Sequence, residues 1–129
     1  MDAILGHPAQ GVTRLDELLT GSRQLAGEQL LHGARALFAQ FAARLDRHMR
    51  LQEHVLFPPE NRHCVAAPAT AALVQEHARP RVLVADACAA LDHDDAEAFG
   101  HIAELLARRL RGHHRRERRA LGAAGTRRS

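Results

Sequence analysis

The chain has 129 residues, hydrophobic residues make up 46% of it and aromatic residues only 3%: four Phe, no Trp and no Tyr. That length makes a single domain, and 25 Ala and 18 Leu set against six Val and two Ile exclude an all-β fold, because strands draw on β-branched and aromatic residues while Ala and Leu head the helix scale. No run approaches the roughly 18 apolar residues that span a bilayer, and no charged segment leads into an apolar one at the start, so the expectation is a cytoplasmic chain with no membrane partner.

All 18 basic residues are Arg, and the formal net charge of +3 is unevenly spread. Nine Arg lie between Arg108 and Arg128, while six acids lie between Asp86 and Glu104. Ten His is a high count for this length, and His is the commonest metal ligand. Cys64 and Cys88 have no CxxC spacing and form no disulfide framework; Cys88 is expected to pack as a small hydrophobe.

In chain order, the first apolar segment carries Val12, Leu15 and Leu19, and a break at Gly21-Ser22 with Gly27 is expected to end it. The second carries Leu37, Phe41, Leu45, His48, Gln52, Val55 and Leu56, and Pro58-Pro59 ends it, since a residue before proline leaves the α region. The third carries Leu73, His77, Val84, Cys88 and Leu91, with Thr70 as its cap. The fourth follows Leu91–Asp95, capped by Asp94 or Asp95, and carries Ile102, Leu106, Leu110, His113, Glu117 and Leu121. Steps of three and four predict helices throughout. The expected fold is all-α, an antiparallel up-down-up-down four-helix bundle over residues 1–121, with 122–129 a disordered or frayed tail.

Polar residues on these apolar stripes carry the functional information. His48, His77 and His113 sit on three different helices, and Glu117 follows His113 by one turn. A buried imidazole or carboxylate costs several kcal/mol without a partner, and side chains converging from facing helices are how bundles build metal sites. A ferritin-like di-iron site would need two Glu-x-x-His motifs; Glu60-Asn61-Arg62-His63 supplies one, in an expected loop, and there is no second.

The stretch His48-Met49-Arg50-Leu51-Gln52-Glu53-His54-Val55-Leu56-Phe57-Pro58 resembles the second-helix signature of the hemerythrin-like HHE cation-binding domains. Gln75-Glu76-His77 resembles their third-helix motif, His113 to Glu117 their final HxxxE, and Thr13 to Leu19 their first helix. The resemblance implies a bundle holding non-heme iron, usually a carboxylate-bridged pair that binds dioxygen or a similar small molecule. His48, His77, His113 and Glu117 stand at the family's ligand positions. The bridging glutamate falls on Gln52, and the first-helix histidine falls on or beside Val12, after Gly11. The third helix offers only His77, since Leu73 and Arg81 flank it at four residues, and Leu121-Gly122-Ala123 replaces the usual stop.

Three imidazoles and one carboxylate suffice for one divalent ion and fall short for two. Two residues could restore a second position: Glu53, about 100° around the helix from Gln52, and His7 before Pro8. The expected centre is therefore mononuclear or vacant: one iron or none, with zinc as the alternative metal and a di-iron pair only if Glu53 and His7 compensate. Pro80, three residues after His77, is expected to kink the third helix. His32, His54, His101 and His114 fall off the stripes and are expected at the surface; His63-Cys64 is a loop pair without partners. Arg108, Arg109, Arg111, Arg115, Arg116, Arg118 and Arg119 are expected to form a solvated face. With no interleaved aromatics and no nucleic-acid-binding motif, sequence reading of nucleic acid is not expected. With no nucleophile and base pair in view, the reading is a binding or sensing protein for a small diatomic ligand, not an enzyme, with homodimerisation left open. The alternative is a metal-free bundle acting as a structural or interaction module, with the Arg-rich fourth helix as its contact surface.

Overall fold

The computed structural model describes the backbone of residues 8–56, 72 and 74–128, and the side chains of residues 11, 13–54, 72 and 74–119. Four long helices run through these residues: α1 (Pro8–Gly27), α2 (Leu31–Leu56), α3 (Ala78–Asp92) and α4 (Ala96–Arg128). Helix α1 packs on α2, α2 on α3, α3 on α4 and α4 back on α1, so they close a four-helix bundle. None of the described helices is long and apolar enough to cross a membrane. His7, His63, Cys64, Thr70, Leu73 and the proline-rich connection from Pro58 to Pro68 lie outside the described residues, as do the side chains of Val12, Val55, Leu56 and Leu121.

The expected break at Gly21-Ser22 is absent, and α1 runs through it to Gly27. A Cβ at Gly21 would lie 3.0 Å from a Leu37 methyl, so this glycine serves a close approach between helices. The buried Ser22 hydroxyl donates to the Leu19 carbonyl at 2.8 Å, so it is satisfied within the helix.

Both short connections end their helices in the same way. Leu30 N–H bonds Leu25 O at 2.8 Å and Gln29 N–H bonds Ala26 O at 3.0 Å, with Gln29 in the left-handed region at φ 63°. Asp95 N–H likewise bonds Ala90 O at 2.9 Å and Asp94 N–H bonds Leu91 O at 3.0 Å, with Asp94 at φ 54°. These are Schellman caps, which favour glycine at the left-handed position. Gln29→Gly is therefore expected to raise stability by about 0.5–1 kcal/mol, read as a higher urea midpoint at unchanged m. Asp95 then accepts from Ala98 N–H at 3.0 Å and caps α4 as expected. The Asp94 carboxylate instead takes Arg35 of α2, which also donates to Leu91 O.

Pro80 does not kink a helix interior. The helical ladder before it is interrupted by a turn at Glu76–His77, and α3 begins at Ala78. Proline thus falls in the first turn, where its missing N–H removes no intrahelical bond. Helix α4 continues to Arg128, through an Ala-containing stretch with no proline to stop it.

The apolar core is strongest towards the two Schellman caps. Phe38 lies tilted at 33° against Phe41, with centroids 5.4 Å apart, and meets Phe99 edge to face at 5.2 Å; all three rings are fully buried. Leu83 and Ala87 carry the buried stripe of α3, with the expected Val84 and Cys88 only partly buried beside them. Towards the other end, the stripes of α2 and α4 run on past Leu45 and Leu110 and change from aliphatic to polar.

Candidate metal centre

The helical spacing that buries Leu106 and Leu110 next brings in His113 and Glu117, and the parallel row Ala107, Leu110 brings in His114. His113 is 5% exposed, Glu117 6% and His114 9%, while His77, at the turn before α3, is 1% exposed. On α2 the row through Leu45 brings His48 and Gln52 inward, each partly buried.

Two imidazoles meet at the centre. His77 Nε2 lies 3.3 Å from His113 Nε2, with the ring centroids 4.9 Å apart. The far nitrogen of each ring is held by a carboxylate: His77 Nδ1 donates to Glu53 Oε2 at 2.7 Å, and His113 Nδ1 donates to Glu76 Oε2 at 2.8 Å. Each carboxylate is held in turn by a guanidinium from outside. Arg81 donates to Glu53 Oε2 at 3.1 Å, and Arg116 grips Glu76 through both oxygens at 2.9 and 3.0 Å. Two chains of Arg, Glu and His thus run inward and end nose to nose.

Glu117 Oε2 lies 3.3 Å from the same His113 nitrogen, an ion-pair distance outside hydrogen-bond geometry, so this oxygen has no hydrogen-bond partner. Gln52 donates through its amide to His48 Nε2 at 2.9 Å, leaving its own Oε1 unpartnered. His114 stands edge to face with His48 at 5.7 Å, and its Nε2 is also unpartnered. Among the described residues, every buried side-chain polar atom without a hydrogen bond belongs to this one cluster. Each such atom costs about 1–3 kcal/mol if left bare.

The electrostatics divide the cluster into charged and neutral groups. Burial lowers the His77 pKa against the pull of Glu53, and burial lowers His48. Burial pushes His114 down to about 4. His113 goes the other way: burial opposes its charge, but Glu117 and Glu76 outweigh that and raise it. Burial would raise Glu117, Glu53 and Glu76, yet each is held below the ordinary carboxylate range, Glu117 by His113 and the neighbouring imidazoles, Glu53 by His77 and Arg81, Glu76 by Arg116 and His113.

The sequence-derived ligand set is thus brought together in part. His77, His113 and Glu117 form a continuous run of contacts. His48 shares the interior, but its Nε2 is taken by Gln52. Glu53 lies one layer out, on the far nitrogen of His77, rather than among the inward atoms. Glu76, which the sequence reading valued only as part of a motif, holds His113 in the same manner. His114, expected at the surface, is buried; its spacing from Ala107 and Leu110 is the signal, which a stripe of large apolar residues alone does not carry. His32, His54 and His101 are exposed as expected.

The spacing of two of the donors is compatible with one shared cation. Two nitrogens each about 2.1 Å from a shared ion stand roughly 3–3.4 Å apart, and the observed Nε2 pair is at 3.3 Å. Carboxylates on the far imidazole nitrogens are the usual outer support of metal-binding His. The set does not fit two cations, because Gln52 offers a neutral amide where a bridge needs an anionic carboxylate. Among the described residues, no group of three or more His, Cys, Asp or Glu side chains is arranged so that it could hold a metal ion; His77, His113 and Glu117 form a chain of contacts. No family model, curated protein or solved structure matches the chain.

Proposed function

We propose that this is a hemerythrin-like metal-binding bundle with a mononuclear centre, in which His77, His113 and Glu117 hold one non-heme iron, or zinc in its place. The observation that carries the reading is the pair of Nε2 atoms facing each other at 3.3 Å while both Nδ1 atoms are committed to carboxylates. With Nδ1–H on both rings, each Nε2 presents a lone pair. Two lone pairs at that distance repel unless a cation or a proton sits between them.

A divalent ion on two imidazoles and one carboxylate supplies an electrophilic centre with open coordination positions for a small ligand such as dioxygen. The protein's own part is to fix the imidazole tautomers through Glu53 and Glu76, to hold those carboxylates with Arg81 and Arg116, and to keep water out with Leu45 and Leu110 on the apolar side. We read the role as binding or sensing, and the compartment as cytoplasmic, where a free thiol such as Cys88 persists.

The second reading, a metal-free structural or interaction module, rests on a different observation. His113, with its raised pKa, can itself supply the proton between the two nitrogens, balanced by Glu76 and Glu117. Arg111, Arg115, Arg118 and Arg119 of α4 are exposed and available to an acidic partner. Metal analysis of protein purified without an affinity tag separates the two readings. About one Fe or Zn per chain is expected; metal-free protein that stays empty after incubation with ferrous iron and with zinc would overturn the metal centre and leave the module.

A further inference from the structure

Between Arg108 and Arg119 the chain holds seven Arg and one acid, Glu117, and that acid is turned inward at 6% exposure. All seven Arg are exposed. Two are engaged, Arg108 by Glu104 at 2.9 Å and Arg116 by Glu76. Among the described residues, Arg109, Arg111, Arg115, Arg118 and Arg119 take part in no ion pair. Steps of three and four place Arg108, Arg111, Arg115, Arg118 and Arg119 along one face of α4, turned away from the buried His113 and Glu117. That face is about 16 Å long at 1.5 Å per residue. Asp16 of α1 lines the same cleft as Arg111 and offsets part of its charge, so the uncompensated stretch is centred on Arg115, Arg118 and Arg119.

We propose that this stripe docks on the phosphate backbone of a nucleic-acid duplex and does so without reading its sequence. The charge on the stripe is linear, dense and of one sign, and a duplex is the partner that matches all three. It carries one phosphate charge per about 1.7 Å of its axis, hence about ten over the length of the stripe. The guanidinium fork bonds phosphate oxygens in pairs and keeps its charge at every working pH. The molecule's own acidic end is a poorer match for a second copy, because its carboxylates are already in use: Asp94 holds Arg35, and Asp95 caps α4 through Ala98 N–H. Nothing aromatic interleaves with the stripe, so base stacking adds nothing and the attraction is that of counterion release alone.

The proposal stands apart from the metal centre, so it is tested on full-length protein with and without chelator, by fluorescence anisotropy on two labelled DNA duplexes of unrelated sequence. With about four phosphates neutralised, log K is expected to fall against log salt with a slope of about −3 to −4, a loss of roughly a hundredfold between 50 and 200 mM NaCl. The two duplexes should bind equally. Arg115→Gln, Arg118→Gln and Arg119→Gln together should bring the slope to about −1, since each contact is worth about −0.9. Removing the same charge elsewhere, with Arg44→Gln, Arg47→Gln and Arg50→Gln on the exposed face of α2, should leave it near its original value. A slope shallower than −1 in the unmodified protein, or equal losses in the two triple variants, would overturn the proposal. Should the α4 triple variant fail to fold, Arg115→Gln alone decides, with a slope reduced by about one unit expected and an unchanged slope overturning the assignment. A polyglutamate peptide of equal charge that displaces the duplex at equal concentration would make the partner an acidic protein, and protein that self-associates at 50 mM NaCl without DNA would make it a second copy; either overturns the duplex.

Discussion

If the proposed metal centre exists, protein carrying His113→Ala and Glu117→Ala together is expected to remain folded and to bind no metal there. Removing both members matters physically. Glu117→Ala alone leaves an imidazole whose raised pKa depends on that carboxylate, and His113→Ala alone strands a carboxylate that is 6% exposed; stranding a buried charge costs about 3–5 kcal/mol. The double variant leaves the surviving groups with partners, since His77 keeps Glu53 and Glu76 keeps its two bonds to Arg116. Metal per chain, measured beside a circular dichroism spectrum, reads the result. Metal content unchanged in a folded double variant would show that the ion sits elsewhere.

The outer carboxylates give a graded version of the same test. Glu76→Gln keeps the size of the side chain but replaces a carboxylate, gripped by Arg116, with a neutral amide on His113 Nδ1. Loss of such an outer partner typically weakens metal binding 10- to 100-fold, and Glu53→Gln is expected to do the same through His77. The drop is read by competition with a chromophoric chelator. Equal affinity in all three proteins would mean that the imidazoles take no support from these carboxylates.

Much of this arrangement was legible in the sequence, and the failures share a cause. Four helices followed from period and composition because Ala, Leu and stripe spacing all point one way. The triad of His77, His113 and Glu117 was legible because each breaks an apolar stripe, and a polar group at such a place needs a partner. Gly21-Ser22 misled because glycine serves turns and close approaches alike, and only the distance to Leu37 tells which. Pro80 misled because its meaning depends on where the helix starts, and the turn at Glu76–His77 moves that start past His77. Glu53 reads from the sequence as a replacement ligand, whereas its place on His77 Nδ1 is not legible from one helix, since it depends on how α2 faces the beginning of α3. His114 was missed because α4 is buried on a wider arc than a single stripe, being covered by α1 as well as by α3.

His114 also makes the stability of the metal-free protein fall in mild acid. Its pKa in the folded chain is about 4, lowered first of all by burial, against an ordinary value of 6.5. A His depressed in the native state contributes its full share of stability above 6.5, where both states are neutral. As the pH falls below that, the unfolded chain takes up a proton that the folded one refuses, and the share is lost progressively down to about 4. That displacement corresponds to about 3 kcal/mol. His48 and His77, also lowered, act in the same direction. His113 acts in the opposite one: its pKa is raised, so its contribution is complete below 6.5 and fades only as the pH climbs through its folded value. Glu53, Glu76 and Glu117, held low, lose their contributions only below about 4.5. Between pH 7.5 and 5 the neutral imidazoles therefore dominate the slope. Urea unfolding of chelator-treated protein is expected to show a loss of about 2 kcal/mol from His114 over that interval, and His114→Phe, which cannot take a proton, should remove most of it. Parallel losses in the two proteins would assign the acid sensitivity to other groups and place the His114 ring in contact with water.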